Sequence, residues 1–481
     1  MTLHILHIIN RLSGDGPTRS LLAMVKYSKC LGLAQEHRIL ALQEAASGLA
    51  RLLAKQVGVP FLLNPSIEEV EAELSRADIV QLHFWNCPEN YEFLRGDWPP
   101  IRLLIWSKIL GDQAPQIITQ DIIAVSDFFV ATNSLTLDLM VFEFSKIELQ
   151  SRQKIGLVPG VADFDRLSNF QTQLHSTFNV GYIGTVNFAK MHPDYVSMSA
   201  AIQISDIRFI VCGGGIEAEL KQQAATLGVT EKFNFRGYVE NIRSILSILD
   251  VFGYPLCPET YATSDKSLQE AMYAGIPPVV FPYGGVKSLV QHQETGLVVE
   301  NEREYQQAIE YLYHNPQERL KLGYNAQQYI RQHFDGENLT WKMHQIYEQM
   351  MRLPKRLHPW RDHLSSETSA EGFVKSLGNA GSQFASSLQP QSFEKAIQAD
   401  QLIARSSMLL AQGEGGIVHY RNKNPQDGFL RFWTGLVFYH KQQLSKALTE
   451  FEAAIALGCD YRQVNWFIEK VLHQIDQKGK S

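Results

Sequence analysis

The sequence predicts an α/β protein made of two doubly wound, parallel-sheet domains followed by an all-α region. Three observations lead there. Short apolar runs alternate with helical patterns as far as Met351, a polar stretch at residues 166–177 divides them into two series, and beyond Phe393 the periodicity is helical alone.

A chain of 481 residues exceeds what one core organises, so several domains are expected. Apolar residues at 45% and charged residues at 20% suit a globular chain rather than a disordered one. The formal charge of -6, without a long run of Lys or Arg, excludes the footprint of a nucleic-acid binder. Cys30, Cys87, Cys212, Cys257 and Cys459 are scattered without a C-x-x-C pair, which fits a reducing cytoplasm. Leu3 to Ile9 is interrupted by His4 and His7 and ends at Asn10-Arg11, the pattern of a buried first strand rather than a signal peptide. No stretch of about 18 uninterrupted apolar residues occurs, so no transmembrane helix is expected. Peripheral membrane attachment stays open.

Residues 1–165 form the first expected domain, a Rossmann-like sheet with strands at 4–9, 79–83, 103–106, 122–125 and 155–159. Residues 166–354 form the second, with strands at 179–183, 208–212, 232–235, 251–255 and 278–281 and a closing helix-like stretch, 339–351, stopped at Leu353-Pro354. Residues 355–392 read as a linker, because 365–391 is rich in Ser, Gly and Gln. Residues 393–481 are the all-α region. There Gly435, Phe438, Ala447, Phe451 and Ala454 fall at the spacing of a tetratricopeptide helical hairpin, and a generic helical bundle fits the same pattern. One hairpin cannot bury its own face, so helices at 393–410 and 464–475 should pack on it.

Candidate ligand residues sit where strands end. The first strand leads into Gly14 and Gly16 at the start of a helix, where glycines let a ligand approach backbone N–H groups; the spacing fails as a dinucleotide fingerprint, since Arg19 stands at the third glycine position. A tight turn explains the same pair. His83 follows a buried strand at the carboxyl end, a place to orient an acceptor or share a proton, or simply to pack. Gly184, Thr185 and Lys190 follow the next domain's first strand, combining backbone access with a cation as a phosphate site requires. Gly237 and Tyr238 end a later strand. In Ser264-Asp265-Lys266-Ser267, Asp265 is a candidate N-cap of a helix whose N-terminus would face a diphosphate, and Glu270 lies one turn in, within reach of a ribose hydroxyl.

Glu270-Ala271-Met272 with Ala274-Gly275-Ile276-Pro277, followed by Glu294-Thr295-Gly296-Leu297-Val298, resembles the donor-site signature of the large family of retaining GT-B glycosyltransferases. Gly14 to Ser20, Asp78 to His83, Val158 to Asp163 and Gly184 to Lys190 fall in that family's order, so the resemblance covers residues 1 to about 352. It implies a GT-B fold and transfer of a sugar from a nucleotide-sugar donor, bound on the second domain, to a glycan or small-molecule acceptor on the first, with no cofactor and no metal. The implied catalytic residues are His83, Lys190 and Glu270. The implied donor-binding residues are Gly14, Gly16, Gly184, Thr185, Lys190, Gly237, Tyr238, Ser264, Lys266, Ser267 and Glu270. Three departures stand against the pattern: Ala262 occupies the place of the family's first glutamate, Thr185 that of an arginine, and Trp106-Ser107-Lys108 lacks a histidine. A glycosidase needs a carboxylate pair that is not identifiable here. A GT-B-like scaffold acting on a protein partner through its helical region is the rival outside enzymology. Asp163-Phe164-Asp165 matches a D-x-D metal pattern but falls in the segment between the domains.

Overall fold

The computed structural model describes residues 2–143, 154–358, 366 and 368–478. Its first sheet contains β1 (Leu3–Ile9), β2 (Gln35–Ala41), β3 (Phe61–Leu63), β4 (Ile79–Phe84), β5 (Leu103–Ser107), β8 (Phe128–Ala131) and β9 (Ile155–Leu157). They are all parallel, in the order β3-β2-β1-β4-β5-β8-β9. A small antiparallel hairpin, β6 (Asp112–Gln113) and β7 (Gln116–Ile117), stands apart. The second sheet holds β10 (Phe178–Ile183), β11 (Ile207–Cys212), β12 (Phe233–Gly237), β13 (Val251–Tyr254), β14 (Pro278–Val280) and β15 (Leu297–Val298), parallel in the order β12-β11-β10-β13-β14-β15. Strands such as Ile79–Phe84 and Leu103–Ser107 are buried along their whole length, as helices on both faces of a parallel sheet require.

In each sheet the strand order reverses beside the first strand, between β1 and β4 and between β10 and β13. Open α/β sheets bind ligands in the crevice outside such a reversal. The segments leaving β1, β4, β10 and β13 carry most of the residues described below.

Two expectations need correction. Residues 122–125 are helical, within Gln120–Val125, and the strand is Phe128–Ala131; a short apolar run does not by itself distinguish helix from buried strand. Much of the expected linker 355–392 is folded, with helices Ser369–Ser376 and Ser382–Leu388 and both Phe373 and Phe384 fully buried. Thr368 and Glu371 cap the first of them reciprocally.

The helix Gly336–Met351 leaves the second domain and packs on the first. Leu339, Met343, Ile346, Tyr347 and Met350 share a core with Leu21, Met24 and Val25, and the Tyr347 hydroxyl donates to Gln81 Oε1 at 2.5 Å. Gly336 permits this, since a Cβ there would stand 2.3 Å from the Tyr27 ring. The C-terminal region has its own core, in which Gly428–His440 and Leu444–Ala456 form a helical hairpin, an arrangement common to a tetratricopeptide unit and a generic bundle. Helices Phe393–Ala404 and Tyr461–Lys478 flank it. No described helix is long and apolar enough to cross a membrane.

Candidate functional site

Two lobes of one cleft lie between the domains, of about 550 Å³ and 380 Å³, and they share Asp15, Gly16, Thr185, Lys190 and Lys266. The larger lobe brings Gly14, Gly16 and Arg19 of the first domain opposite Gly184, Tyr238, Ser267 and Glu270 of the second. The smaller is bounded by Trp85, Lys108, Tyr261, Ala262, Ser264 and, from the C-terminal region, Leu409, Gln412, Gly413 and Glu414.

At the junction, the Lys190 ammonium lies 3.1 Å from Asp265 Oδ1, which also accepts from the Tyr254 hydroxyl at 2.9 Å. Burial opposes the charge on Lys190, but Tyr254 and Asp265 outweigh it and hold its pKa well above the ordinary value. Asp265 stands at the N-cap position with φ of 24°, and its side chain makes no capping bond because it is turned to Lys190. The first ladder bond of the helix Lys266–Tyr273 runs from Gln269 N–H to the Asp265 carbonyl. The amides of 266–268 therefore lie outside the ladder, at the positive end of the helix.

Lys266 reaches across to donate to the Gly160 carbonyl, and burial brings its pKa down to about 7. A Cβ at Gly160 would stand 2.5 Å from the Lys266 Nζ, so a larger residue there would displace the end of the lysine. Lys108 is buried over the Trp106 ring with no hydrogen-bond partner for Nζ among the described residues, and burial, then Lys266, pushes its pKa far down. Among the described residues Thr263 Oγ1, Asn187 Oδ1 and Asp265 Oδ2 in the same cleft also have no hydrogen-bond partner. Buried polar atoms without partners carry a desolvation cost, so their clustering marks a place built for a polar ligand.

Most residues expected from the sequence converge here. Ser264 lines the smaller lobe, while Gly237, with φ of 63°, places Tyr238 in the larger one without lining it. Glu270 carries an ion pair with Arg166 that sequence reading did not anticipate. His83 lies beneath the cleft rather than in it. Its Nε2 is 3.1 Å from His7 Nδ1, His7 Nε2 is 2.9 Å from His37 Nδ1, its Nδ1 has no partner among the described residues, and His83 lines a cavity of only about 30 Å³. Burial keeps all three imidazoles far below their ordinary pKa, to about 4 for His37. The two carboxylates of the D-x-D pattern both pair with Lys26, at 2.8 and 2.7 Å. His192, Asp194 and Glu302 are close enough to share a cation, but none of them lines either lobe.

Sequence reading also missed Trp85, Tyr261, Asn133 and Glu414. Asn133 binds the domains together, donating to the Thr263 carbonyl at 2.9 Å and the Ser288 hydroxyl at 2.8 Å. Trp85 had a signal, one step past the strand that ends at Phe84. Glu414 had a weaker one, a carboxylate set among Gly413, Gly415 and Gly416 within a helical pattern.

Residues 167–329 match the family described as glycosyl transferases group 1. The D-rhamnosyltransferase WbpZ of Pseudomonas aeruginosa is 28% identical over 314 residues, which cover 61% of this chain and 76% of that protein. The 2-deoxystreptamine N-acetyl-D-glucosaminyltransferase of Niallia circulans is 26% identical over 136 residues, 27% of this chain and 34% of that protein. Among solved structures, Anabaena Alr3699/HepE in complex with UDP and glucose superposes with a TM-score of 0.56 at 17% identity, covering 73% of this chain and 100% of that one. A glycosyltransferase from Rickettsia africae gives 0.57 at 15% identity, covering 73% and 99%. The two doubly wound domains are thus a GT-B fold, extended by a C-terminal helical region.

Proposed function

From a chain with the GT-B fold and a glycosyl transferases group 1 segment, we propose a glycosyltransferase that moves a sugar from a nucleoside-diphosphate sugar to an acceptor in glycoconjugate or polysaccharide synthesis. The observation that carries this reading is the junction of the lobes, where Lys190, Lys266 and the N-terminal end of the helix at Lys266 and Ser267 converge. Departure of the diphosphate is the hard step, and preorganised cations and amides aimed at its developing charge lower the barrier. In this reading the nucleotide occupies the larger lobe beside Gly184, Tyr238 and Glu270, and the acceptor enters the smaller one. Transfer with retention is proposed on the resemblance of the Glu270 to Pro277 segment. UDP is a reasonable first probe, because the similar Anabaena structure was solved with it.

The test is binding and hydrolysis of a series of nucleotide sugars, UDP-glucose first. Lys190→Ala should weaken binding by about 10- to 100-fold, as loss of a charge-assisted contact predicts. Because that change also strands Asp265, the double variant Lys190→Ala/Asp265→Asn should recover stability without recovering affinity. Glu270→Ala should weaken binding as well. Failure of every donor to bind or turn over would sink the proposal. A second reading, a transferase-like scaffold without turnover, is favoured by the uncharged Thr185 and Ala262 in the cleft wall; donor binding with no hydrolysis or transfer would support it.

A further inference from the structure

The helices Met408–Gln412 and Ile417–Lys423 of the C-terminal region are joined by a short loop that enters the cleft. Its seat is specific. The Gln116 side chain donates to the Glu414 carbonyl at 2.5 Å, and its Oε1 accepts from the Asn86 N–H at 3.1 Å. Gly415, with φ of 78°, lies so close to the first domain that a Cβ would stand 1.8 Å from the Asn86 carbonyl oxygen. Its N–H donates to His419 Nδ1 at 2.9 Å, and His419 Nε2 lies 3.2 Å from Glu89 Oε1. Burial brings Ile417 and Leu410 to 0% and 7% exposure beneath the loop.

This seat directs one carboxylate at the cleft. Glu414 lines the smaller lobe with its side chain 24% exposed, accepts from the Asn10 side chain through Oε1, and has Oε2 3.5 Å from Arg11. Burial raises its pKa, with Arg11 and Asn10 opposing the rise. Across the same lobe Trp85 and Tyr261, one from each domain, meet edge to face with ring centres 5.7 Å apart. An aromatic corner offers an apolar face, and a carboxyl beside it that already accepts from Asn10 and faces Arg11 offers oxygens to a hydroxyl. A ligand with both an apolar C–H face and outward hydroxyls fits that combination. A pyranose ring has both.

We propose that the helical region is part of the transfer site, and that Glu414 binds a hydroxyl of a pyranoside acceptor seated against Trp85 and Tyr261. The proposal rests on the glycosyltransferase reading above and assigns the acceptor class within it.

The experiment uses the full chain with UDP present and methyl pyranosides of glucose, galactose, rhamnose and N-acetylglucosamine as probes, followed by saturation-transfer NMR and titration. At least one pyranoside binds the wild type. Glu414→Gln, which keeps the shape of the side chain, weakens that binding tenfold or more, while UDP affinity stays within twofold and melting stays cooperative. Glu89→Gln loosens the same loop through His419 but keeps the Glu414 carboxylate and lines neither lobe, so it weakens pyranoside binding by less than Glu414→Gln does. UDP binding with no pyranoside binding would overturn the inference alone. So would unchanged binding in Glu414→Gln, or an equal loss in Glu89→Gln, which would make the effect one of docking. Absence of UDP binding in the wild type would instead count against the transferase reading.

Discussion

A lysine brought to a pKa of about 7 by burial, as Lys266 is, is half neutral near neutral pH. A diphosphate that draws on its charge must then bring a proton with it. The sign follows from linkage. Below pH 7 the ammonium is already formed and affinity for UDP-glucose is level. Above pH 7 the free protein has lost the proton, so affinity falls by up to about tenfold per pH unit until the bound state also loses it. Calorimetry in two buffers of different ionisation enthalpy should show proton uptake near pH 8, and Lys266→Met should abolish it. UDP-glucose suits this test because its diphosphate, esterified at both ends, does not titrate there. Equal heats in both buffers would remove Lys266 from the donor contact.

At the scale of elements, close approach decides where glycine is needed. In the helix Gly428–His440, a Cβ at Gly435 would stand 2.5 Å from the Phe451 ring of the facing helix. Gly435→Ala should lower stability by about 1 to 3 kcal/mol through overpacking, although alanine favours a helix by about 1 kcal/mol over glycine. Gly48→Ala, where a Cβ meets nothing within 4 Å, should leave stability unchanged or raised. Urea unfolding of both variants checks the contrast. The hairpin was legible because small residues at helical spacing state a contact directly. The central strands were legible too, since a strand buried on both faces is a continuous apolar run. Gln35–Ala41 was not, because Gln35, Glu36 and Arg38 interrupt its apolar residues. The helices Ser369–Ser376 and Ser382–Leu388 were hidden by composition, each holding few large apolar residues among Ser and other small or polar residues.

For the whole molecule, the donor lobe was readable and the far side of the cleft was not. Gly184, Lys190 and Glu270 belong to local motifs, whereas Glu414 meets Asn10 from 404 residues away, and no local pattern encodes such a meeting. The same geometry predicts what removing the tail does. Truncation after Leu353 keeps the helix Gly336–Met351 on the first domain and takes no residue from the larger lobe. The truncated chain should melt cooperatively at a lower temperature, bind UDP-glucose within a fewfold of the full chain, and lose pyranoside binding. Insolubility or a broad melt would show that the two domains depend on the helical region to fold.

The helix Gly336–Met351 also sets a schedule for the ribosome. The strands of the first sheet are synthesised long before this helix, which covers Leu21, Met24 and Val25. Chains generally fold domain by domain from the N-terminus as they emerge, but here the first domain stays uncovered on one face until the second has been made. The loop bearing Glu414 can seat only after that. Completion therefore runs against the order of translation: the domain made first is finished after its successor, and the cleft is walled at the end.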